Sequence, residues 1–269
     1  MKNKPYGIRP VIQGSSNRKY PIKPDRTDKR DIPLAKLGLP QPQTNGVSLK
    51  QYCPPINDQG NEGCCSGCGW EEFREYYIIK NNPQSFVKLS KQFIYYQERA
   101  MEGNINVDSG AAISDGAMAL NKIGVCPETM DPYIAGNYAI PPTQEMITAA
   151  QQYKIQTYYR VNDLNGVKQA LENGLPVVCG IDVYESFESD DVAATGIIPM
   201  PKQGEGYLGG HCVFCMGFKD TSSGILGIGI QGYLMFMNSW GTDWGQQGYF
   251  QMPYDVFNYL INDMWTGTI

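Results

Sequence analysis

The sequence predicts an α+β fold, a helical lobe followed by a mostly antiparallel β lobe, because helix and strand signals fall in separate halves. Apolar residues at helical spacing dominate from Cys65 to about residue 150, and strand-like apolar runs prevail from about residue 153 onward. The predicted helices span residues 65–80, 90–101, 114–123, 143–152 and 163–173. The predicted strands span residues 154–161, 177–183, 212–218, 233–237 and 249–252.

Length and composition indicate one large two-lobed domain, since 42% of the 269 residues are hydrophobic. No stretch approaches the roughly 20 apolar residues of a membrane span, so no membrane contact is expected. No apolar segment follows the first residues, and we therefore expect no secretory signal and an intracellular protein, which we take to be monomeric. Eight cysteines in this setting predict mostly free thiols, although a bridge between Cys53 and Cys126 remains open.

The first 47 residues differ in composition from the rest of the chain. They hold ten Lys or Arg and three Asp, a net charge of +7, whereas the remainder holds 12 basic and 24 acidic residues, a net of −12. Seven of the 18 prolines lie here without any helical period, which predicts an extended segment. A disordered basic tail is one interpretation; the segment lacks the clustered basic runs of a nucleic-acid-binding tail, and no nucleic-acid partner is expected. The charge asymmetry favours packing along the acidic domain, over or beside its cleft, as a short pro-segment or lid.

The chain contains a single histidine, His211, in a glycine-flanked apolar run. Any imidazole chemistry near neutral pH must therefore use this residue. A core histidine with satisfied hydrogen bonds is the alternative, and the residues upstream and downstream argue against it.

Upstream, Cys64, Cys65 and Cys68 lie where a loop rich in Gly, Asn and Asp gives way to a helical pattern. A thiol at a helix N-terminus lies near the positive end of the helix dipole, which lowers its pKa and favours the nucleophilic thiolate. Downstream, Asn238 ends an apolar strand-like run and precedes a turn containing Trp240 and Trp244. An asparagine there can accept the ring N–H of His211 and fix its orientation, as in a set of nucleophile, base and orienting residue.

Three blocks resemble the signature motifs of papain-like cysteine peptidases, in the same Cys, His, Asn order. The blocks are Gln59-Gly60-x-x-Gly63-Cys64-Cys65, Gly210-His211 and Asn238-Ser239-Trp240-Gly241-x-x-Trp244-Gly245. Residues 52–55, 89–93, 108–110 and 124–128 further resemble the bacterial and viral branch of that family. The resemblance covers residues 48–269 and implies a helical lobe at about 56–150, a β lobe at about 151–269, and an active site in the cleft between them.

In that family the oxyanion-hole glutamine precedes the nucleophile by six residues, so Gln59 implies Cys65 as the nucleophile. Two departures from the motif are Glu62, where secreted relatives often have a disulfide cysteine, and Ser66-Gly67, where an aromatic residue and alanine are usual. Since glycine is a weaker helix former than alanine, a looser helix start is expected.

The resemblance implies a cysteine endopeptidase for polypeptide substrates that needs no cofactor. Cys65 would form the acyl-enzyme, His211 would act as base and then acid, Asn238 would orient His211, and Gln59 with the Cys65 N–H would bind the oxyanion. It also implies a substrate-binding cleft with Ser109 and Gly110 on one wall, Gly210 on the other, and Trp240 and Met264 nearby. The pocket for the side chain two before the scissile bond would draw on the stretch near Asp263, Met264 and Trp265.

Three alternatives remain open from the sequence. A peptide ligase or deamidase would share the first half of the reaction, and an inactive homologue would only bind peptides. A zinc or redox site could use the two C-x-x-C pairs, but Cys212 and Cys215 would face opposite sides of a strand, and no metal site is expected.

Overall fold

The computed structural model of the chain describes residues 10–26, 28–222 and 231–269. Its strands are β1 Gly46–Ser48, β2 Thr157–Arg160, β3 Val177–Tyr184, β4 Tyr207–Ser222, β5 Gln231–Met237, β6 Tyr249–Pro253 and β7 Ile261–Thr268. They form one antiparallel sheet in the order β2-β7-β3-β4-β5-β6, and β1 pairs with β4. The long buried strands β3 and β4 form the centre of the sheet.

Four helices precede the long strands and build the helical lobe, and three more lie between strands of the β lobe. They are α1 Cys65–Asn81, α2 Lys91–Glu102, α3 Ile113–Lys122, α4 Gln144–Ala150, α5 Leu164–Glu172, α6 Asp190–Thr195 and α7 Tyr254–Leu260. Side-chain caps set the start of several of them: Ser90 accepts the Phe93 N–H at 3.0 Å, and Asp163 accepts the Gly166 N–H at 2.8 Å. None of the helices in these ranges is long and apolar enough to cross a membrane.

Helix α1 is buried on nearly all sides because it packs against α2 and α3 on one side and β4 on the other. Its glycines permit these close approaches. A Cβ at Gly67 would lie 2.6 Å from the Lys91 carbonyl oxygen, and one at Gly69 would lie 2.8 Å from the Cys212 sulfur. A looser helix start was expected at Gly67. In the structure, α1 instead packs closely on α2 at this glycine.

The predicted α+β architecture is confirmed, and each predicted helix and strand is present with shifted ends. The sequence analysis did not predict β1, β7, α6 and α7. The boundary at residue 47 is also less sharp than the charge pattern suggested, because β1 crosses it and pairs with β4 from Gly46 to Ser48.

The described part of the N-terminal segment (residues 10–26 and 28–47) is extended, as predicted, except for a short 3-10 turn at Leu34–Leu37. It runs between the two lobes. Pro21 forms a parallel bridge with Gly210 of the β lobe, and Lys23 forms one with Ala112 of the helical lobe. Further along, Pro33 bridges Arg160 at the edge of the sheet, and the Leu34 side chain is buried in the core.

Candidate active site

Cys65 is the first residue of α1, with Cys64 as the helix N-cap. Its side chain is fully buried. Burial raises the pKa of the Cys65 thiol, and hydrogen bonds from the backbone N–H groups of Cys212 and Ser66 counteract only part of that rise. With the cleft covered, Cys65 is therefore held as a neutral thiol.

His211 lies in β4, next to Cys212, whose backbone N–H bonds to the Cys65 thiol. Its Nε2 is 2.8 Å from the Asn238 Oδ1, and the Ser239 N–H also donates to that oxygen at 2.9 Å. Because Oδ1 can only accept, Nε2 carries the hydrogen and Nδ1 is left as the acceptor. Within the described ranges, the buried Nδ1 has no hydrogen-bond partner. Burial lowers the pKa of His211 to about 4, although the hydrogen bond to Asn238 acts in the opposite direction.

Trp240 covers the pair formed by His211 and Asn238. Its indole stacks on the imidazole, with ring centroids 5.0 Å apart and planes inclined by 29°. Trp244 and Phe187 pack against the indole and hold it there. Because His211 and Asn238 are both buried under this cover, water does not reach the hydrogen bond between them.

Gln59 is fixed in the loop before α1 by three hydrogen bonds. Its Nε2 donates to the Glu62 carbonyl at 2.9 Å, its Oε1 accepts from the Ser239 hydroxyl, and its backbone N–H donates to the Ser239 carbonyl at 2.9 Å. One of the two amide hydrogens on Nε2 remains for another acceptor. The buried Glu62 carboxylate accepts from Gln92 and from the Gly136 N–H, so these bonds hold the loop where relatives have a disulfide.

The N-terminal segment contacts both predicted walls of the cleft. The Gly210 carbonyl accepts the Ile22 N–H and the Gly210 N–H donates to the Tyr20 carbonyl, each at 3.0 Å. On the other wall, Lys23 Nζ lies 3.3 Å from both the Ser109 hydroxyl and the Gly110 carbonyl. A Cβ at Gly110 would lie 2.2 Å from the Pro21 carbonyl oxygen, so only glycine permits this approach. Tyr20 also contacts Trp240, with ring centroids 6.0 Å apart.

Met264 is the predicted site residue that the structure does not bring to the cleft. Side chains alternate along β7, and its neighbours Asp263 and Trp265 both bond to Asp25 of the N-terminal segment. Met264 instead pairs with Cys179 of β3 and is buried on the opposite face. The sequence placed this wall correctly, but it could not fix the register that decides which residue faces the segment.

All eight cysteines are free thiols, including Cys53 and Cys126. The Cys212 sulfur lies against Gly69 of α1, whereas the thiols of Cys215 in β4 and Cys179 in β3 are hydrogen-bonded to each other. The described residues contain no group of three or more His, Cys, Asp or Glu side chains arranged to hold a metal ion.

Two acidic residues beside the cleft were not assigned a role from the sequence. Asp108 bonds to the loop before α1, and Glu188 bonds to Ser15, Ser16 and Tyr20 of the N-terminal segment. Neither belongs to one of the three motif blocks. Asp108 precedes the predicted wall residues Ser109 and Gly110 and lies in the stretch 108–110 that resembles the bacterial and viral branch of the family, which gave the signal for it.

A helical lobe joined to an antiparallel β sheet, with a cysteine at the N-terminus of the helix that packs on that sheet, is the architecture of the papain-like proteins. The model of the papain family of cysteine proteases matches residues 42–268. An uncharacterised peptidase C1-like protein of Acanthamoeba polyphaga mimivirus is 35% identical over 230 residues, which are 81% of this chain and 71% of that protein. The chain belongs to the papain family and is a papain-like cysteine protease.

Solved structures agree with this assignment. Xylellain, a cysteine protease from Xylella fastidiosa, superposes with a TM-score of 0.79 at 32% identity, covering 96% of this chain and 99% of that one. Digestive procathepsin L 3 from the larval midgut of Tenebrio molitor has the same fold, with a TM-score of 0.65 at 18% identity, covering 94% of this chain and 76% of that one.

Proposed function

We propose that the chain is a cysteine endopeptidase in which Cys65 is the nucleophile, His211 the base and Asn238 the orienting residue. The observation that carries this assignment is the state of the only imidazole in the chain. Its Nε2 is held by Asn238, its Nδ1 is free of protein partners within the described ranges, and the backbone N–H of the next residue, Cys212, bonds to the Cys65 thiol. A histidine that served only to fill the core would use both ring nitrogens.

In the reaction, Cys65 transfers its thiol proton to His211 Nδ1, and the thiolate attacks the substrate carbonyl carbon. The negative charge that develops on oxygen is bound by the free Nε2 hydrogen of Gln59 and by the Cys65 N–H. His211 then gives its proton to the leaving amine as the C–N bond breaks. Water, deprotonated by neutral His211, hydrolyses the thioester and releases Cys65.

We further propose that the N-terminal segment blocks this site as a short pro-segment. It uses both backbone bonds of Gly210 and lies against Gly110, the positions that the resemblance assigns to substrate. With the segment in place, Cys65 and His211 are both buried, and this burial raises the pKa of the thiol and lowers that of the imidazole. Both shifts disfavour the thiolate–imidazolium pair, so displacement of the segment would restore access and charge together.

Active-site titration with a peptidyl epoxide, followed by mass spectrometry of the adduct, tests both proposals. The comparison is between the full chain and an opened variant, Tyr20→Ala with Ile22→Ala, which removes two side chains that hold the segment in the cleft. Val11→Ala is the matched control, because Val11 lies in the same segment with a 65% exposed side chain.

We expect one stoichiometric adduct on Cys65, formed faster in the opened variant than in the full chain or the Val11 control, and lost when His211→Ala is added. Equal rates would refute the blocking role. An adduct on another cysteine, or none in the folded opened variant, would refute the proposed nucleophile. Hydrolysis measured with a competing amine in the opened variant then distinguishes a peptidase from a ligase.

A further inference from the structure

Asp108 is a carboxylate held against the loop that carries the proposed nucleophile. Its Oδ1 and Oδ2 accept the Gly63 N–H at 3.0 and 3.2 Å, and its Oδ1 accepts the Tyr95 hydroxyl at 2.5 Å. Tyr95 in turn accepts the Gly110 N–H at 3.0 Å. The carboxylate therefore lies between Gly63, two residues before Cys65, and the wall formed by Gly110. Two neutral donors, the Gly63 N–H and the Tyr95 hydroxyl, fix its position.

The N-terminal segment places a cation on this carboxylate. Lys19 Nζ lies 2.6 Å from the Asp108 Oδ2, while the backbone of the next residue, Tyr20, bonds to Gly210 across the cleft. The Asp108 side chain is only 8% exposed in this arrangement, whereas Lys19 is half exposed. Lys19 is the only basic side chain that forms an ion pair with Asp108 within the described ranges.

We propose that Asp108 makes this peptidase select a lysine or arginine side chain on the substrate residue that becomes bound to Cys65. This inference rests on the proposed function, since it assigns a specificity to that same site. The substrate residue would have its carbonyl carbon on the Cys65 sulfur, two residues from Gly63, so its side chain would lie beside the loop that Asp108 contacts. A lysine or arginine has the long flexible stem and charged end needed to reach the carboxylate when Lys19 leaves.

The selectivity follows from what a neutral side chain would leave behind. Asp108 keeps its bonds to Gly63 and Tyr95 whether or not the segment is present, but its negative charge loses its cation when Lys19 withdraws. A substrate with an apolar side chain would cover this carboxylate without pairing it, which is costly. A basic side chain restores the ion pair. The site therefore disfavours apolar side chains in addition to attracting basic ones.

The test uses two peptidyl acyloxymethyl ketones that differ only in lysine or norleucine at the residue joined to the reactive carbon. Norleucine has the lysine stem without the ammonium group. The second-order rate constant for modification of Cys65 is measured with each probe in the full-length opened variant. We expect the lysine probe to react at least about tenfold faster, as a charge-assisted hydrogen bond allows.

Asp108→Asn in the same background is the decisive substitution. Asparagine retains an oxygen for the Gly63 N–H and the Tyr95 hydroxyl, so it removes the charge and keeps the shape. The lysine probe should lose its advantage, and the norleucine probe should react faster than in the opened parent, because its apolar side chain no longer covers an unpaired charge. An equal fall for both probes would show that Asp108 only positions the loop, and it would overturn the proposal.

The outcomes separate this inference from the proposed function. If both probes modify Cys65 at the same rate in the opened parent, the selectivity is wrong and the nucleophile stands. If neither modifies Cys65, both fail. A second measurement does not depend on the stability of the Asp108 variant: Lys19→Met in the otherwise unaltered chain should speed reaction with the norleucine probe by freeing the segment, and no acceleration would contradict the ion pair's role.

Discussion

The indole of Trp240 lies between His211 and the N-terminal segment. One contact is the stacked imidazole at 5.0 Å, and the Arg18 guanidinium carbon lies 4.5 Å from the indole ring centroid. Tyr20 contacts both rings edge-on. The same indole thus covers the hydrogen bond from His211 to Asn238 and provides a surface for the segment, so its loss should affect both the catalytic pair and the closure of the cleft.

Substitution of Trp240 by alanine in the opened variant should lower kcat about tenfold, because water then competes for the bond that orients His211. Trp240→Phe keeps an aromatic cover and should retain most of the activity. Steady-state hydrolysis of a peptide substrate measures both. The free energy of unfolding should be measured in parallel, since removal of a buried tryptophan costs roughly 3–5 kcal/mol. Equal kcat values for the two variants would contradict the role of the aromatic cover.

The ionisation of His211 should report whether the cleft is open. Burial lowers the pKa of this imidazole to about 4, so in the full chain it should stay neutral above that pH. In the opened variant, water reaches the ring and the pKa should rise towards or beyond the ordinary value of 6.5.

An NMR titration of the imidazole resonances checks this directly, because the only histidine needs no assignment. The Val11→Ala variant should titrate like the full chain. An imidazole that titrates near neutral pH in the full chain would mean that the segment does not exclude water from the site.

Gln59→Glu should lower kcat about 100- to 1000-fold in the opened variant, since a carboxylate cannot donate a hydrogen bond to the developing oxyanion. Reaction of Cys65 with iodoacetamide is the control, because that displacement passes through no oxyanion and should continue. If both reactions were lost, the substitution would have damaged the loop held by Ser239 and Glu62 rather than the oxyanion hole.

Sequence supported a proposal where the chemistry depends on a few residues of fixed order. His211 could be proposed because it is the only histidine, whereas Cys65 and Asn238 were proposed because the blocks around them resemble the papain-like motifs. The helical and β halves were predicted because their periodicities are read within short windows.

What escaped prediction depends on long-range pairing. Strand β7 is the last element of the chain but pairs with β2 and β3, and its register turns Asp263 towards the cleft and Met264 away from it. The path of the N-terminal segment likewise depends on single contacts, such as the Pro21 carbonyl against Gly110, that no period in the sequence encodes. Charge asymmetry indicated that the segment would pack on the domain. The structure shows that it runs between Gly210 of the β lobe and Ala112 of the helical lobe.

Glu188 fastens the N-terminal segment at the end of the cleft opposite Lys23. It accepts hydrogen bonds from the Ser15 hydroxyl at 2.9 Å, from the Ser16 N–H and hydroxyl, and from the Tyr20 hydroxyl. In Glu188→Gln, one of the two acceptor oxygens becomes an NH₂ group that opposes these donors. The segment should be released more often, and a neutral substrate-like probe should modify Cys65 about fivefold to tenfold faster in the otherwise full-length chain.

Glu205→Gln is the matched control, because Glu205 lies in the same lobe and accepts from the backbone of Ser186 and Lys202. Burial alone would raise the pKa of Glu188, but the hydrogen bonds from Ser16, Tyr20 and Ser15 outweigh it and hold the pKa below 4.5. The Glu188 carboxyl therefore binds a proton less readily in the closed form than in the open form. The stabilisation of the closed form by Glu188 is fully present above pH 4.5 and is lost as the pH falls through the lowered pKa. The difference in labelling rate between the parent and Glu188→Gln should shrink over that acidic range, and a difference that persists unchanged there would show that the carboxylate does not hold the segment through its charge.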